Sequence, residues 1–120
     1  STPSELTLQT LTVSHMCEYI AEREPGSNSS SAFLVGMLST VHTVLGISKE
    51  ELLERLPMSE EITGALTDRT GSLGMILHNS ENYMAAQWDD MLPNSDILLY
   101  REAYEASALW ASESIGLMNE

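Results

Sequence analysis

Basic residues are scarce in this sequence. Five Lys and Arg stand against eighteen Asp and Glu, for a formal net charge of −13 over 120 residues. A surface this negative repels phosphate backbones and anionic lipid heads, which argues against nucleic-acid and membrane-surface partners and favours basic protein surfaces. Cysteine is nearly absent too. Cys17 stands alone and cannot close an internal disulfide, as expected in a reducing cytoplasm. It falls in an apolar pattern with Val13, Met16 and Ile20, beside Glu18 and Glu22. A catalytic thiolate needs positive surroundings, so this pattern predicts a buried, inert thiol. No apolar run reaches the roughly 20 residues of a membrane span. No basic segment followed by an apolar one opens the chain, so no signal peptide is legible.

Motifs with dedicated chemistry are missing as well. There is no HExxH, no GxxxxGK[ST] loop, no EF-hand loop and no GxSxG elbow. The three histidines, His15, His42 and His78, lie far apart in sequence. His78 and Glu81 can share a helix face, but two groups do not make a metal site, since a catalytic zinc wants three protein ligands and a structural one four. Asp89-Asp90 beside Trp88 reads as a solvated helix end, and Glu50, Glu51 and Glu54 as a solvent face. Gly71-Ser72-Leu73-Gly74 is too short to cradle phosphate and reads as a turn into a helix.

What is present is helical periodicity. Apolar residues make up 42% of the chain, enough to fold. Their spacing predicts about six helices and no sheet. The first covers Glu5–Glu24 and stops at Pro25-Gly26, and a serine of the following polar run caps the next. The second, Ala32–Leu45, is the most apolar and is expected to be the central buried helix, with Phe33, Met37, Leu38 and Val41 in the main core; Gly46 ends it. Ser48 and Glu51 have capping-box spacing and open a short helix that stops at Leu56-Pro57. Ser59 caps a fourth, with Ile62, Ala65 and Leu66 inward. Gly71 separates it from a fifth, Leu73–Trp88. Pro93-Asn94-Ser95 precedes a last helix, Asp96–Leu117. Tyr83, Trp88, Tyr100, Tyr104 and Trp110 are expected to pack the fifth helix on the last. The fold class is all-α, a compact helical bundle spanning 1–120 as a single domain.

The stretch Ala32-Phe33-Leu34-Val35-Gly36-Met37-Leu38-Ser39-Thr40 resembles the HDOD superfamily, whose relatives are the metal-dependent HD phosphohydrolases. There a similar "AFxxGLL" run leads into the His-Asp pair that names the fold. The section from Gly46 through Leu56-Pro57-Met58-Ser59-Glu60-Glu61-Ile62 and Ala65-Leu66 to Gly71 and Leu73-Gly74 resembles the subgroup of bacterial proteins with an N-terminal EAL domain and a C-terminal HDOD domain. Met16-Cys17-Glu18 fits the same subgroup. The likeness runs from Glu5 to Trp88, is strong over Phe33–Gly74, and fades in the last helix. It implies that the chain is the C-terminal part of an HDOD domain, cut from a longer protein whose upstream half and EAL domain are absent, with Ser1-Thr2-Pro3 as linker or cloning remnant.

The resemblance also implies that catalysis is lost. Ser39-Thr40 stand where the His-Asp pair belongs, and neutral hydroxyls are poor substitutes for metal ligands. Arg69-Thr70 fall where some relatives carry a His-His pair, and Arg cannot give up its charge to ligate a cation. His15 lies about two residues from the expected upstream histidine. The expectation is therefore a cytoplasmic, non-catalytic regulatory or protein-interaction module of a bacterial signal-transduction protein linked to cyclic-di-GMP. It has no catalytic residue, metal or cofactor, and its partner is another protein, the EAL domain of its parent chain, or a second copy. Leu6, Leu8, Leu11 and Val13 are candidates for an uncovered apolar face. One alternative is a residual metal-dependent phosphohydrolase, which needs His42, His78, Asp68, Asp89 or Asp90 to converge. Another is a small-ligand sensor.

Overall fold

The structure, a computed structural model, describes residues 3–119; Ser1 and Thr2, on which the reading as linker or cloning remnant falls, lie outside them. Among the described residues six α-helices follow one another: α1 (Pro3–Arg23), α2 (Ser29–Leu45), α3 (Lys49–Arg55), α4 (Glu60–Thr67), α5 (Gly71–Met84) and α6 (Ile97–Met118), with a 3₁₀ turn at Trp88–Asp90. No strand occurs among the described residues.

Local chemistry sets most boundaries. Side-chain oxygens cap four helices by accepting from a backbone N–H three residues on: Asn28 from Ser31 (2.9 Å), Ser48 from Glu51 (3.1 Å), Ser59 from Ile62 (3.3 Å) and Asp96 from Leu99 (3.1 Å). The cap of α2 is thus Asn28, not a serine, and the serines after it form the first turn. Only half of the capping box at Ser48 is of the reciprocal kind expected, for the Glu51 carboxylate lies 3.7 Å from Arg55 instead. Gly46 adopts φ 72° and closes α2 by donating to the Thr43 carbonyl (3.2 Å), while Ile47 donates to His42 (3.0 Å).

α1 packs on α2, α5 and α6, and its inward face (Val13, Met16, Cys17, Ile20) reaches the deepest layer of the core. The α1–α2 contact is made by small residues. A methyl group added at Gly36 would lie 2.8 Å from the Ser14 Cα and 2.9 Å from the Val13 carbonyl oxygen. Ser14 is fully buried, and its hydroxyl donates back to the Thr10 carbonyl (2.6 Å), so no polar group is stranded.

That close approach corrects the expected face of α2. Its buried side is Ala32, Val35, Gly36, Leu38 and Ser39. Of the four expected core residues only Leu38 is buried; Phe33, Met37 and Val41 are half-buried, and Val44 and Leu45 are exposed. The large side chains flank the contact because the backbones meet too closely to admit them.

α5 also differs from expectation, ending at Met84 rather than Trp88. Ala86 turns left-handed (φ 57°), and Gln87 N–H donates back to the Asn82 carbonyl at 2.8 Å. Trp110 does not join α5 to α6: it stacks on His15 of α1 (centroids 4.6 Å) and meets Phe33 of α2 edge-on (6.3 Å). Tyr83 and Tyr104 (5.7 Å) and the Asn79–Tyr100 hydrogen bond (3.5 Å) do make the expected α5–α6 contact.

Candidate functional site: the cleft between α1, α2 and α5

Thr40 of α2, Gln9 and Val13 of α1, and Glu81 and Met84 of α5 line an open cleft of about 260 Å³. Thr40 is the second residue of the pair that the sequence singles out. Its hydroxyl donates to the Met37 carbonyl (3.3 Å), and that of Ser39, buried, donates to Gly36 (2.7 Å). Both hydroxyls are therefore turned back onto their own helix, as β-hydroxyl side chains in helices often are.

Glu81 is the acidic residue of the cleft, and Arg69 holds it. The guanidinium meets the carboxylate in a two-pronged pairing, with Nε 3.0 Å from Oε1 and Nη2 2.9 Å from Oε1 and 3.2 Å from Oε2. Nη1 reaches the other way and donates to the carbonyls of Ala65 and Leu66 at the end of α4. Arg69 itself sits at φ 56°, the left-handed turn between α4 and α5. It thus ties the C-terminus of α4 to the middle of α5. Thr70 is the N-cap residue of α5 but makes no side-chain capping bond.

The remaining candidates scatter. His15 faces α6, with Nδ1 2.8 Å from the buried Ser107 hydroxyl. His42 Nδ1 lies 3.3 Å from the Ile47 carbonyl, and His78 Nε2 lies 2.8 Å from the Asp90 carbonyl. Asp68, Asp89 and Asp90 are exposed. No three His, Cys, Asp or Glu side chains among the described residues come together. Cys17 is buried as its pattern predicts, and burial pushes its thiol up to about 12, opposed by the neighbouring Ser80 hydroxyl. Such a thiol stays protonated and unreactive at neutral pH.

Sequence reasoning missed where the cleft leads. Gln9 and Met84 also line a groove between α1 and α6, which Leu8, Thr12, Tyr104, Ala108 and Ser112 complete. Leu8 and Tyr104 are exposed along it. Val13, expected on an uncovered face, is instead interior, against α2 and α5, and Leu6 and Leu11 are half-buried. Of this surface the sequence signalled only Leu8, as a candidate for an uncovered apolar face, since a groove between residues a hundred positions apart leaves no local pattern. No single helix among the described residues is long and apolar enough to cross a membrane.

Comparison with known proteins gives two relatives. The cyclic di-GMP phosphodiesterase CdgJ of Vibrio cholerae is 33% identical over 87 residues, which is 72% of this chain and 20% of that protein. The uncharacterized protein YuxH of Bacillus subtilis is 28% identical over 90 residues, 75% of this chain and 22% of that protein. The chain thus spans about a fifth of the length of the curated relatives it matches. No family model and no solved structure matches it. What the comparisons establish is homology of this helical unit to one segment of CdgJ.

Proposed function

We propose that the chain is a non-catalytic docking module of the HDOD type, acting within a bacterial cyclic-di-GMP signalling protein. The observation that carries this reading is the make-up of the cleft. At the positions that the resemblance aligns with the metal ligands of HD-type proteins, this chain has two hydroxyls bonded to their own helix, Ser39 and Thr40, and Arg69, which is paired with the Glu81 carboxylate of the cleft. Similarity to a segment of a cyclic di-GMP phosphodiesterase supports the signalling context. The groove that continues from the cleft between α1 and α6 supports docking, with Leu8, Tyr104 and Ala108 offering an apolar seat for a neighbouring domain of the parent chain or a separate protein. Docking there biases the partner only to the extent that one of its states fits the groove better than another.

Two measurements test this. Metal analysis and cyclic-dinucleotide hydrolysis assays on the purified chain should give neither stoichiometric metal nor turnover. Metal-dependent hydrolysis that Glu81→Gln abolishes would overturn the non-catalytic reading. The full-length parent protein should co-purify with the chain, and Ala108→Arg, which fills the groove, should weaken that capture while leaving the circular dichroism spectrum unchanged. Capture indifferent to Ala108→Arg removes the groove as the docking surface.

A further inference from the structure

The groove between α1 and α6 is longer than the part that carries the docking reading. Three hollows share walls along it: Leu8 and Ser112 border the first two, and Ser4 and Ile115 the second and third. Together they follow α6 from Tyr104 to Met118, about 21 Å at 1.5 Å per residue. At the Tyr104 end the apolar floor passes into a row of rings. Tyr104 lies 5.7 Å from Tyr83, and Tyr83 lies 6.4 Å from Trp88, between ring centroids. Trp88 is 56% exposed, unusual for a side chain that is mostly buried in folded proteins. Asp89 and Asp90 follow it in the 3₁₀ turn, both exposed, and neither carboxylate has a hydrogen bond or ion pair among the described residues.

The walls decide the shape of what fits. They are helices, and no strand edge among the described residues is open for an extended peptide to pair with. A helix satisfies its own backbone and needs only a trough for its side chains. Leu8, Ala108 and Ile115 supply that trough. A helix of about 14 residues matches its length, with apolar anchors at i, i+4 and i+7. Charge decides the end at Trp88. Each of the five Lys and Arg side chains is engaged within the chain: Arg23 over the Tyr19 ring, Lys49 at the Leu66 carbonyl, and Arg55, Arg69 and Arg101 at Glu51, Glu81 and Glu105. Asp89 and Asp90 are thus left without a cation beside an open indole. The face of an aromatic ring attracts cations, and that of Trp does so most strongly. A second copy of this chain meets the groove poorly, since it brings the same charge of −13 and its basic side chains are already held.

We propose that the groove takes an amphipathic helix of a partner protein, with its apolar stripe along Leu8, Ala108 and Ile115 and a basic N-terminal end over Trp88, beside Asp89 and Asp90. This rests on the docking function proposed above and adds the chemistry of the partner to it. The apolar stripe supplies contact area, and the cation sets the direction in which the helix lies. An N-terminal position suits the basic residues, because the positive end of the helix dipole then meets the same two aspartates. Laid the other way, the helix would bring its cations to Ser4 and Met118, far from the indole and both aspartates.

Two stapled amphipathic peptides of about 14 residues, alike except for Arg-Arg or Glu-Glu at the N-terminal end, test it. Their binding to the folded chain is read by fluorescence anisotropy at about 0.15 M salt, which screens diffuse attraction. The arginine peptide should bind about tenfold more tightly than its twin. Trp88→Leu, which keeps an apolar side chain and removes the indole, should shrink that difference, as should Asp89→Asn combined with Asp90→Asn. Glu50→Gln combined with Glu54→Gln removes the same charge from the exposed side of α3 and should leave it unchanged. In the unsubstituted chain the Trp88 indole N–H signal should shift with the arginine peptide, a readout that does not depend on how any variant folds. Equal binding of the twins, equal weakening by the α3 pair, or an unmoved Trp88 signal would each overturn the proposal. If the twins bind equally and Ala108→Arg still removes both, only the basic end falls and the groove keeps its docking role. Binding that survives Ala108→Arg overturns the groove and the docking reading together. No binding of either peptide overturns the helix and leaves the docking reading to the co-purification experiment. A dimer that the arginine peptide fails to dissolve assigns the groove to a second copy instead.

Discussion

Ser14 and Gly36 set how near α1 and α2 can come, and the rest of the core is arranged around that spacing. Adding one carbon at Gly36 drives it into the backbone of α1. Helix propensity favours Ala over Gly by about 1 kcal/mol, but overpacking against backbone costs about 1–3 kcal/mol. Gly36→Ala should therefore lower the urea midpoint, and a raised midpoint would show that the helices separate freely. Glu24 makes a second residue-level prediction. Its pKa is raised from an ordinary value of 4.5 by burial. A carboxyl that holds its proton more tightly folded than unfolded favours the fold at low pH, and that contribution is lost as pH rises through the raised value. Glu24→Gln should thus be more stable than the parent at neutral pH, with the gap closing below about pH 4. A gap that widens on acidification contradicts the assignment. Of these residues, Gly36 is legible in the "AFxxGLL" run, but only as a letter of a likeness. Its physical role needs the position of α1. Glu24 carries no signal at all, because the cavity it lines gathers residues from 24 to 100.

Helix ends were readable wherever a single side chain or a glycine decides them, as at Ser48, Ser59 and Gly46. They were unreadable where an ordinary residue takes a left-handed turn. Ala86 stops α5 at φ 57° without any sequence signal. Its exposure and lack of a side-chain role make Ala86→Gly a gain of up to about 1 kcal/mol, since the left-handed conformation strains a residue with a Cβ. Thermal unfolding would show it, and a lowered midpoint would mean the turn is set otherwise. The rotation of α2 was equally hidden. Periodicity marks an apolar arc, but which part of the arc is inward depends on how close the facing helix comes. Phe33, on the flank, should lose less on truncation than the about 3–5 kcal/mol of a fully buried Phe, whereas Leu66→Ala, at 0% exposure, should cost the full 2–5 kcal/mol or so. Urea unfolding of the two variants side by side decides it. The reverse order would return Phe33 to the core.

At the scale of the molecule, net charge and apolar surface oppose each other. A charge of −13 makes copies repel, while Leu8, Tyr104, Leu109 and Leu117 lie exposed on α1 and α6. Salt screens the repulsion over about 10 Å at 0.1 M and leaves apolar burial intact. Light scattering should therefore find a dimer at moderate salt, and Leu8→Asp should dissolve it. A monomer at every concentration and salt level would exclude self-association through this surface. The same pairing of α1 with α6 has a consequence for how the unit sits in a chain. Ser4 and Thr7 line one hollow together with Met118 and Asn119, so the polypeptide enters and leaves the bundle at the same corner. Whatever is joined to either helix is fastened at one point, like a door on a single hinge post. Tension between neighbours on the two sides would unzip α1 from α6 one turn at a time, rather than shear the whole core at once.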